Sequence, residues 1–288
     1  MNFSRVKLLF LSIFLALNAF LIAQWLDLQS SVSVYAQPVS DQLAHAQSVL
    51  AMYHVRLDAG IPASPTQMGL LRVARDGTGL VGIAATMFGV KPAQAQKWRR
   101  GPTHLDAPGA QYAELAPGSF VVRFRPPVVL QRAPFSRQHV NTEDWHTWLQ
   151  KHGYNADNYE ELNSSGGDKR ESVTYDQTLA GYPVFTARLV LQIEAGKLTA
   201  LTQQSLVLTN AYAPRPIINA VSALLSLADF LDKTGMSADN TIQNIRIGYA
   251  ALLTTPTQWV LAPVWRMQTT RGVFFVNALS GEVGVGLQ

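Results

Sequence analysis

The sequence predicts an α+β protein: one amino-terminal transmembrane helix, then extracytoplasmic antiparallel sheets, each packed with a helix. Three observations carry that prediction. Residues 8–26, LLFLSIFLALNAFLIAQWL, hold no charged side chain between Lys7 and Asp27. Residues 183–194 alternate apolar and polar side chains with the period of a strand buried on one face. Residues 217–233 repeat apolar side chains at helical spacing.

The apolar run comes first in the chain. At about 1.5 Å per residue it is just long enough to cross a hydrocarbon core of roughly 30 Å. Its polar members are Ser12, Asn18 and Gln24, and Trp25 stands where an interfacial aromatic belongs. Arg5 and Lys7 flank only its amino-terminal side, which assigns residues 1–7 to the cytoplasm and places the rest of the chain outside the membrane. A cleaved secretory signal is the alternative. Small-residue patterns for it exist at Val34-Tyr35-Ala36 and at Leu21-Ile22-Ala23, although the apolar run exceeds the usual length of about 7–15 residues. Under either reading the bulk of the chain is exported, and residues 27–40 form a polar juxtamembrane stalk.

Composition narrows the function classes. Charged residues make up 15% and the net charge is +4, to which Arg5 and Lys7 contribute, so no concentrated basic surface points to nucleic acid. Cysteine is absent, which excludes disulfides, thiolate metal sites and cysteine nucleophiles. An exported protein of this kind depends on apolar burial for its stability.

The first exported segment, 41–154, opens with a short helix capped by Asp41, with Leu43, Ala46, Leu50 and Ala51 at helical spacing. Residues 59–69 are a Gly- and Pro-rich loop. Residues 70–74 and 80–85 are expected as a hairpin about Arg75-Asp76-Gly77, since Asp-Gly favours tight turns. Residues 91–118 contain four of the fifteen prolines and are expected to be mostly irregular. Residues 119–124 alternate weakly and end at Pro126-Pro127, as an edge strand does. Asn141 starts a helix through about Lys151, with Asp144 in its first turn. Residues 155–172 are the most polar segment and are expected to be a linker or loop.

The second exported segment, 173–288, is more regular. In 183–194, Phe185, Ala187, Leu189, Leu191 and Ile193 share one face, and Thr186, Arg188, Gln192 and Glu194 the other. Ala195-Gly196 turns the chain into a second strand, 197–208. A helix over 217–233 presents Ile217, Val221, Leu224, Leu225, Ala228 and Leu231 as a stripe, and Gly235 closes it. Strands at 245–253, 259–268 and 273–277 follow, with turns at Arg271-Gly272 and Ser280-Gly281.

Particular residues in this layout resemble a known family. Ser4-Arg5-x-Lys7, the apolar run, and Leu17-Asn18 before the second stretch of that run resemble the amino terminus of the YycI (WalI) family. Its members are membrane-anchored regulators encoded beside the YycF/YycG (WalR/WalK) two-component system of Firmicutes. Ser48-Val49-Leu50 with Val55-Arg56-Leu57 resembles that family's first helix and its exit. Gln177-x3-Gly181-Tyr182-Pro183-Val184-Phe185 resembles the start of its central strand, and Asn219-Ala220-x2-Ala223-Leu224 and Ile247-Gly248-Tyr249 follow in the family's order. Pro263-Val264-Trp265-Arg266 with Phe275-Val276-Asn277-Ala278-x2-Gly281-Glu282-Val283 looks like a PepSY-type module, shared with YycH and other exported regulators. The stretch 91–140 matches no recognised motif, and its role stays open. The resemblance implies a single-pass, non-enzymatic protein that associates with a YycH-like partner and with the sensor histidine kinase YycG (WalK), altering kinase output in cell-wall homeostasis. An exported PepSY-type inhibitor or chaperone of a cell-wall peptidase is the alternative.

The candidate contact residues lie in the anchor. Ser12, Ala16, Ala19 and Ala23 are spaced to form one stripe of small residues where another helix can approach closely. Asn18, on another face with Leu11, Phe14 and Leu21, either bonds a partner helix for about 1 kcal/mol or bonds its own helix backbone. No catalytic, cofactor or metal site is expected. Gly77-Thr78-Gly79-Leu80-Val81-Gly82 spells G-x-G-x-x-G, but no βαβ unit follows and Pro92 interrupts the next segment, so the hairpin reading stands. The six histidines, 45, 54, 104, 139, 146 and 152, show no metal-ligand spacing, and no G-x-S-x-G elbow occurs. Asp157, Glu160, Glu161 and Asp168 lack the order of a calcium loop and are expected to be solvated. Trp145, Trp148, Trp259 and Trp265 are expected in packing positions.

Overall fold

The computed structural model describes residues 39–63, 65–116, 118–129, 142–152, 158–167, 170–236, 240–254 and 258–285, with Phe14 and Asn18. It is α+β, with a few helices on a large, mostly antiparallel sheet of fourteen strands. Among the described residues no helix is long and apolar enough to cross a membrane. The run 8–26 lies outside the described residues except for Phe14 and Asn18.

The elements, in chain order, are α1 (Val39–Met52), β1 (Val55–Leu57), β2 (Gln67–Met68), β3 (Leu71–Arg75), α2 (Leu80–Phe88), α3 (Pro92–Ala95), β4 (His104–Ala107), β5 (Ala110–Ala116) and β6 (Ser119–Val129). There follow α4 (Thr142–Lys151), β7 (Tyr159–Gly167), β8 (Arg170–Leu179), β9 (Tyr182–Glu194), β10 (Lys197–Gln204), β11 (Leu206–Ala211), β12 (Arg215–Pro216) and α5 (Ala220–Lys233). The chain then runs through β13 (Asn240–Thr254), β14 (Gln258–Thr269), β15 (Gly272–Asn277) and β16 (Val283–Val285).

The sheet has two halves. In the first, β7-β8-β9-β10-β6-β5-β4 lie side by side, all antiparallel. In the second, β14 is central. It pairs with β13 along its length, and on its other side with β3 at residues 258–261 and β15 at 264–269. Strands β11, β1 and β16 complete this half on β3, β13 and β15. The two halves meet where Tyr249 of β13 lies parallel to Val184 of β9.

Each half carries helices on one face. Leu80, Ala84 and Met87 of α2 and Trp148 and Leu149 of α4 pack on Leu189, Leu191, Ile193, Leu198 and Leu201. Leu50 of α1 and Ala223, Leu224, Leu227 and Leu231 of α5 pack on Ile242, Trp265, Met267, Phe274 and Val276. Strand pairing cuts across the sequential segments 41–154 and 173–288, because β6 pairs with β10, β3 with β14 and β1 with β13.

Several expectations need correction. Residues 80–85 are not the second arm of a hairpin: Leu80–Phe88 is a helix that buries Leu80, Ala84, Ala85 and Met87. A short, wholly apolar run carries no clear period, so its state is decided by its ends. Here Asp76 Oδ1 accepts the Thr78 N–H at 2.9 Å, Gly79 caps the helix, and Gly89 at φ 62° ends it. Residues 91–118 are not mostly irregular. Their prolines fall at boundaries: Pro92 at the first turn of α3, Pro102 ahead of β4, and Pro108 in the turn joining β4 to β5.

Strand β6 is interior, flanked by β5 and β10, rather than an edge. It tolerates Pro126-Pro127 because the β5 pairing stops at Phe124 and the β10 register jumps from Arg123 to Val128. The polar segment expected as linker or loop contains β7 and the start of β8. Among the described residues strand β7 pairs on one side only, so an edge position accounts for its polar composition. The expected strand 197–208 breaks at Ser205, and its two pieces join different half-sheets. Leu225 is only half-buried, whereas Ala223 and Leu227 lie in the core. By contrast β9 follows its pattern closely, with Phe185, Ala187, Leu189, Leu191 and Ile193 all buried.

Candidate functional site at the junction of the half-sheets

Four strands bring charge to the place where the halves meet. In β8 and β9, Asp176 lies opposite Arg188, and in β13 and β14, Arg246 lies opposite Arg266. Asp176 is 0% exposed and Arg266 is 4% exposed. Arg188 Nε approaches Asp176 Oδ1 at 3.3 Å, as an ion pair outside hydrogen-bond geometry. At the solvent side, Arg246 Nη2 meets Glu160 Oε1 of β7 at 2.5 Å.

Packing explains why these groups are buried. Gly248 of β13 has no room for a side chain: a Cβ there would lie 2.5 Å from the Pro183 carbonyl oxygen and 2.7 Å from the Phe185 ring. This close approach seats Phe185 among Ala250, Val264 and Phe275, stacked on Phe275 at 5.7 Å. The Arg266 guanidinium lies 5.8 Å from the centroid of the Phe185 ring, within cation–π range.

Burial pushes the Asp176 carboxyl above its ordinary range, and the charges of Arg188, then Arg266, then Arg246 oppose that shift. Burial likewise pulls Arg266 down, against the support of Asp176. Three cations thus surround one buried carboxylate, with a second carboxylate at the rim. Such a cluster can orient and couple the strands that carry it. Among the described residues no three His, Asp or Glu side chains are placed to hold a metal ion.

A second polar cluster sits nearby, where β10 passes into β11. Gln177 donates from Nε2 to the Leu206 carbonyl at 2.8 Å and accepts the Leu206 N–H at 2.9 Å. Gln203 Nε2 donates to the Tyr159 hydroxyl at 2.7 Å. These bonds fix the crossover between the half-sheets.

Of the residues expected to make contacts in an anchor, Ser12, Ala16, Ala19 and Ala23 lie outside the described residues. Asn18 is helical and donates from Nδ2 to the Phe14 carbonyl at 2.8 Å, the backbone-bonded alternative. Gly77–Gly82 follows a strand and opens a helix, as the dinucleotide pattern does. The next strands, β4 and β5, however, form an antiparallel hairpin instead of a parallel crossover from β3. Glu160 is committed to Arg246, and Asp157 and Asp168 lie outside the described residues. Trp148, Trp259 and Trp265 pack in the core, Trp265 donating its Nε1–H to the Ile218 carbonyl at 2.9 Å. Sequence pattern does not assemble the charged junction: its five members come from five strands, and the local trace of it is an arginine within each of β13 and β14.

The profile of the YycI protein family matches residues 125–279, more than half of the chain and all five charged residues of the junction. The chain belongs to the YycI family. That family is associated with the YycFG two-component system. Among solved structures, this YycI-family chain is similar to an uncharacterized protein from Eubacterium rectale, at 11% identity and a TM-score of 0.53, covering 84% of this chain and 99% of that one. At this identity the likeness is one of fold. It is also similar to the YpeB C-terminal domain of Bacillus megaterium, at 13% identity and a TM-score of 0.34, over 72% and 95% of the two chains, too low to carry an argument. No curated protein matches the sequence.

Proposed function

We propose that this YycI-family protein is a non-enzymatic, single-pass membrane regulator of a YycG/WalK-type sensor histidine kinase, acting with a YycH-like partner in cell-wall homeostasis. The supporting observation is the family match over residues 125–279. In this reading residues 8–26 are the anchor, the amino terminus is cytoplasmic, and the α+β region is extracytoplasmic. The stripe Ser12, Ala16, Ala19, Ala23, with Asn18 beside it, contacts the kinase's membrane helices. A bias of 5- to 150-fold between two kinase states requires only about 1–3 kcal/mol of differential contact energy.

The test replaces residues 1–28 with an unrelated anchor and measures expression of the kinase's target genes. Loss of regulation, with the exported region still present at the membrane, is the expected result. Regulation that survives the swap overturns the anchor-centred contact and moves the function to the exported region. Deletion of the gene without any change in target expression overturns the regulatory reading itself. Inhibition of a cell-wall peptidase by residues 27–288 alone would replace it with the peptidase-inhibitor alternative.

A further inference from the structure

We propose that Asp176, Arg188, Arg246, Arg266 and Glu160 form an electrostatic latch that sets the angle between the two half-sheets and holds the exported region in one of two discrete settings. The ladder between the halves is the pairing of Tyr249 with Val184, and a second joint is made where β10 passes into β11, through Gln177 on Leu206 and the Ser205 backbone. The latch residues are divided across that seam. Glu160, Asp176 and Arg188 belong to β7, β8 and β9 of the first half, and Arg246 and Arg266 to β13 and β14 of the second.

Neither half balances its own charge. Arg246 and Arg266 are directly opposite each other in the β13–β14 ladder, an arrangement in which like charges repel. Their compensating carboxylates, Glu160 and Asp176, come from the other half. In the closed setting Asp176 is covered completely and its own pairs act in a medium of low dielectric, whereas Glu160 meets Arg246 at the solvent side. Opening the seam weakens those pairs but returns water to three guanidinium groups and a carboxylate. These are opposing contributions of similar size, so a modest perturbation can decide between them. Apolar contacts run alongside, from Phe185 on Phe275 to Val184 and Ala187 packed with Tyr249, Trp259 and Leu261, so the charged pairs act beside a packed seam. Use of the latch in signalling rests on the regulatory reading above; the latch itself is a property of the purified protein.

The chain contains no cysteine, so paired labels can be placed cleanly. Gln192 of β9 and Gln243 of β13 are exposed and lie in different halves, and Gln243 falls at a bulge in the β13–β14 ladder. The full chain in detergent, with Gln192→Cys and Gln243→Cys carrying spin labels, is measured by double electron–electron resonance. The parent is expected to give one narrow distance distribution. E160Q and D176N are expected to add a longer distance, its population raised several-fold. The apolar triple D176L, R188L, R266M is expected to stay narrow, even in high salt. Glu160 is half exposed, so E160Q carries the test where D176N does not fold. Identical distributions in the parent and in E160Q overturn the latch. Failure here, with kinase-dependent gene control intact, removes the latch and leaves the family's regulatory reading standing.

Discussion

Asp176 illustrates how a single buried charge ties its neighbours together. Removing one member of a buried ionic group is strongly destabilising, because the remaining charges lose their compensation, by about 3–5 kcal/mol. Asp176→Ala is therefore expected to lower the unfolding free energy by about that amount in denaturant titrations. Glu160→Gln, at the half-exposed end of the same cluster, should lower it by no more than about 1 kcal/mol. Equal effects at the two positions would show that the cluster has no buried centre. Tyrosines report on burial from the alkaline side. Burial pushes the phenols of Tyr159 and Tyr249 up to about 12, from an unfolded value of 10.0. Above the unfolded value the unfolded chain releases these protons first. It therefore binds fewer protons than the native state, and stability falls as pH rises from about 10 to about 12. Below pH 10 both states keep the proton and the contribution vanishes. The denaturation midpoint should therefore drop between about pH 10 and about pH 12, and drop less in Tyr159→Phe. An equal drop in that variant would place the effect on other groups.

Helix α5 and strand β9 show what local pattern specifies, and α2 and β6 show where it stops. In α5 the apolar stripe at helical spacing and a capping residue agree: Asn219 Oδ1 accepts the Ser222 N–H at 2.8 Å. Asn219→Ala is expected to cost about 1 kcal/mol, and Leu227→Ala, fully buried against β14 and β15, about 2–5 kcal/mol. Thermal unfolding of the two variants checks both values, and a larger loss at Asn219 than at Leu227 would contradict the packing described. Strand β9 was legible because one of its faces is apolar at every second residue. In α2 every residue from Leu80 to Ala85 except Gly82 is an aliphatic, so neither period stands out, and the Asp-Gly dipeptide suggested a turn where the chain in fact begins a helix. In β6 the two prolines looked like an edge signal, but the interruption they need is supplied by a bulge against β10, which is a property of the partner strand. The charged junction was illegible for the same reason. Its members are distant in sequence and become a site only through strand register, which no local pattern encodes.

At the scale of the whole molecule, the order of strands conflicts with the order of segments, and that conflict has a measurable consequence. A chain divided at 155–172 suggests two pieces that fold in turn. The sheet instead inserts β3 beside β14, β1 beside β13 and β6 beside β10, so each half-sheet takes strands from both sides of the division. Residues 173–288 alone would leave one side of β14 unpaired over Gln258–Leu261 and one side of β10 unpaired. They would also lack Leu50 of α1, which packs in the core with α5. Long-range pairings of this kind also slow folding, since distant segments must meet before any of them gains stability. Residues 173–288 expressed alone are therefore expected to unfold without a sharp cooperative transition. Mixing them with residues 39–172 should restore one transition, seen in denaturant titration by intrinsic fluorescence of Trp259 and Trp265, both buried in the second half-sheet. A cooperative transition in the isolated fragment, at the midpoint of the intact protein, would instead show that the crossing strands contribute little. Residues 39–172 and 173–288 would then act as independent units, and a mechanism that couples them through β9 and β13 would have no basis.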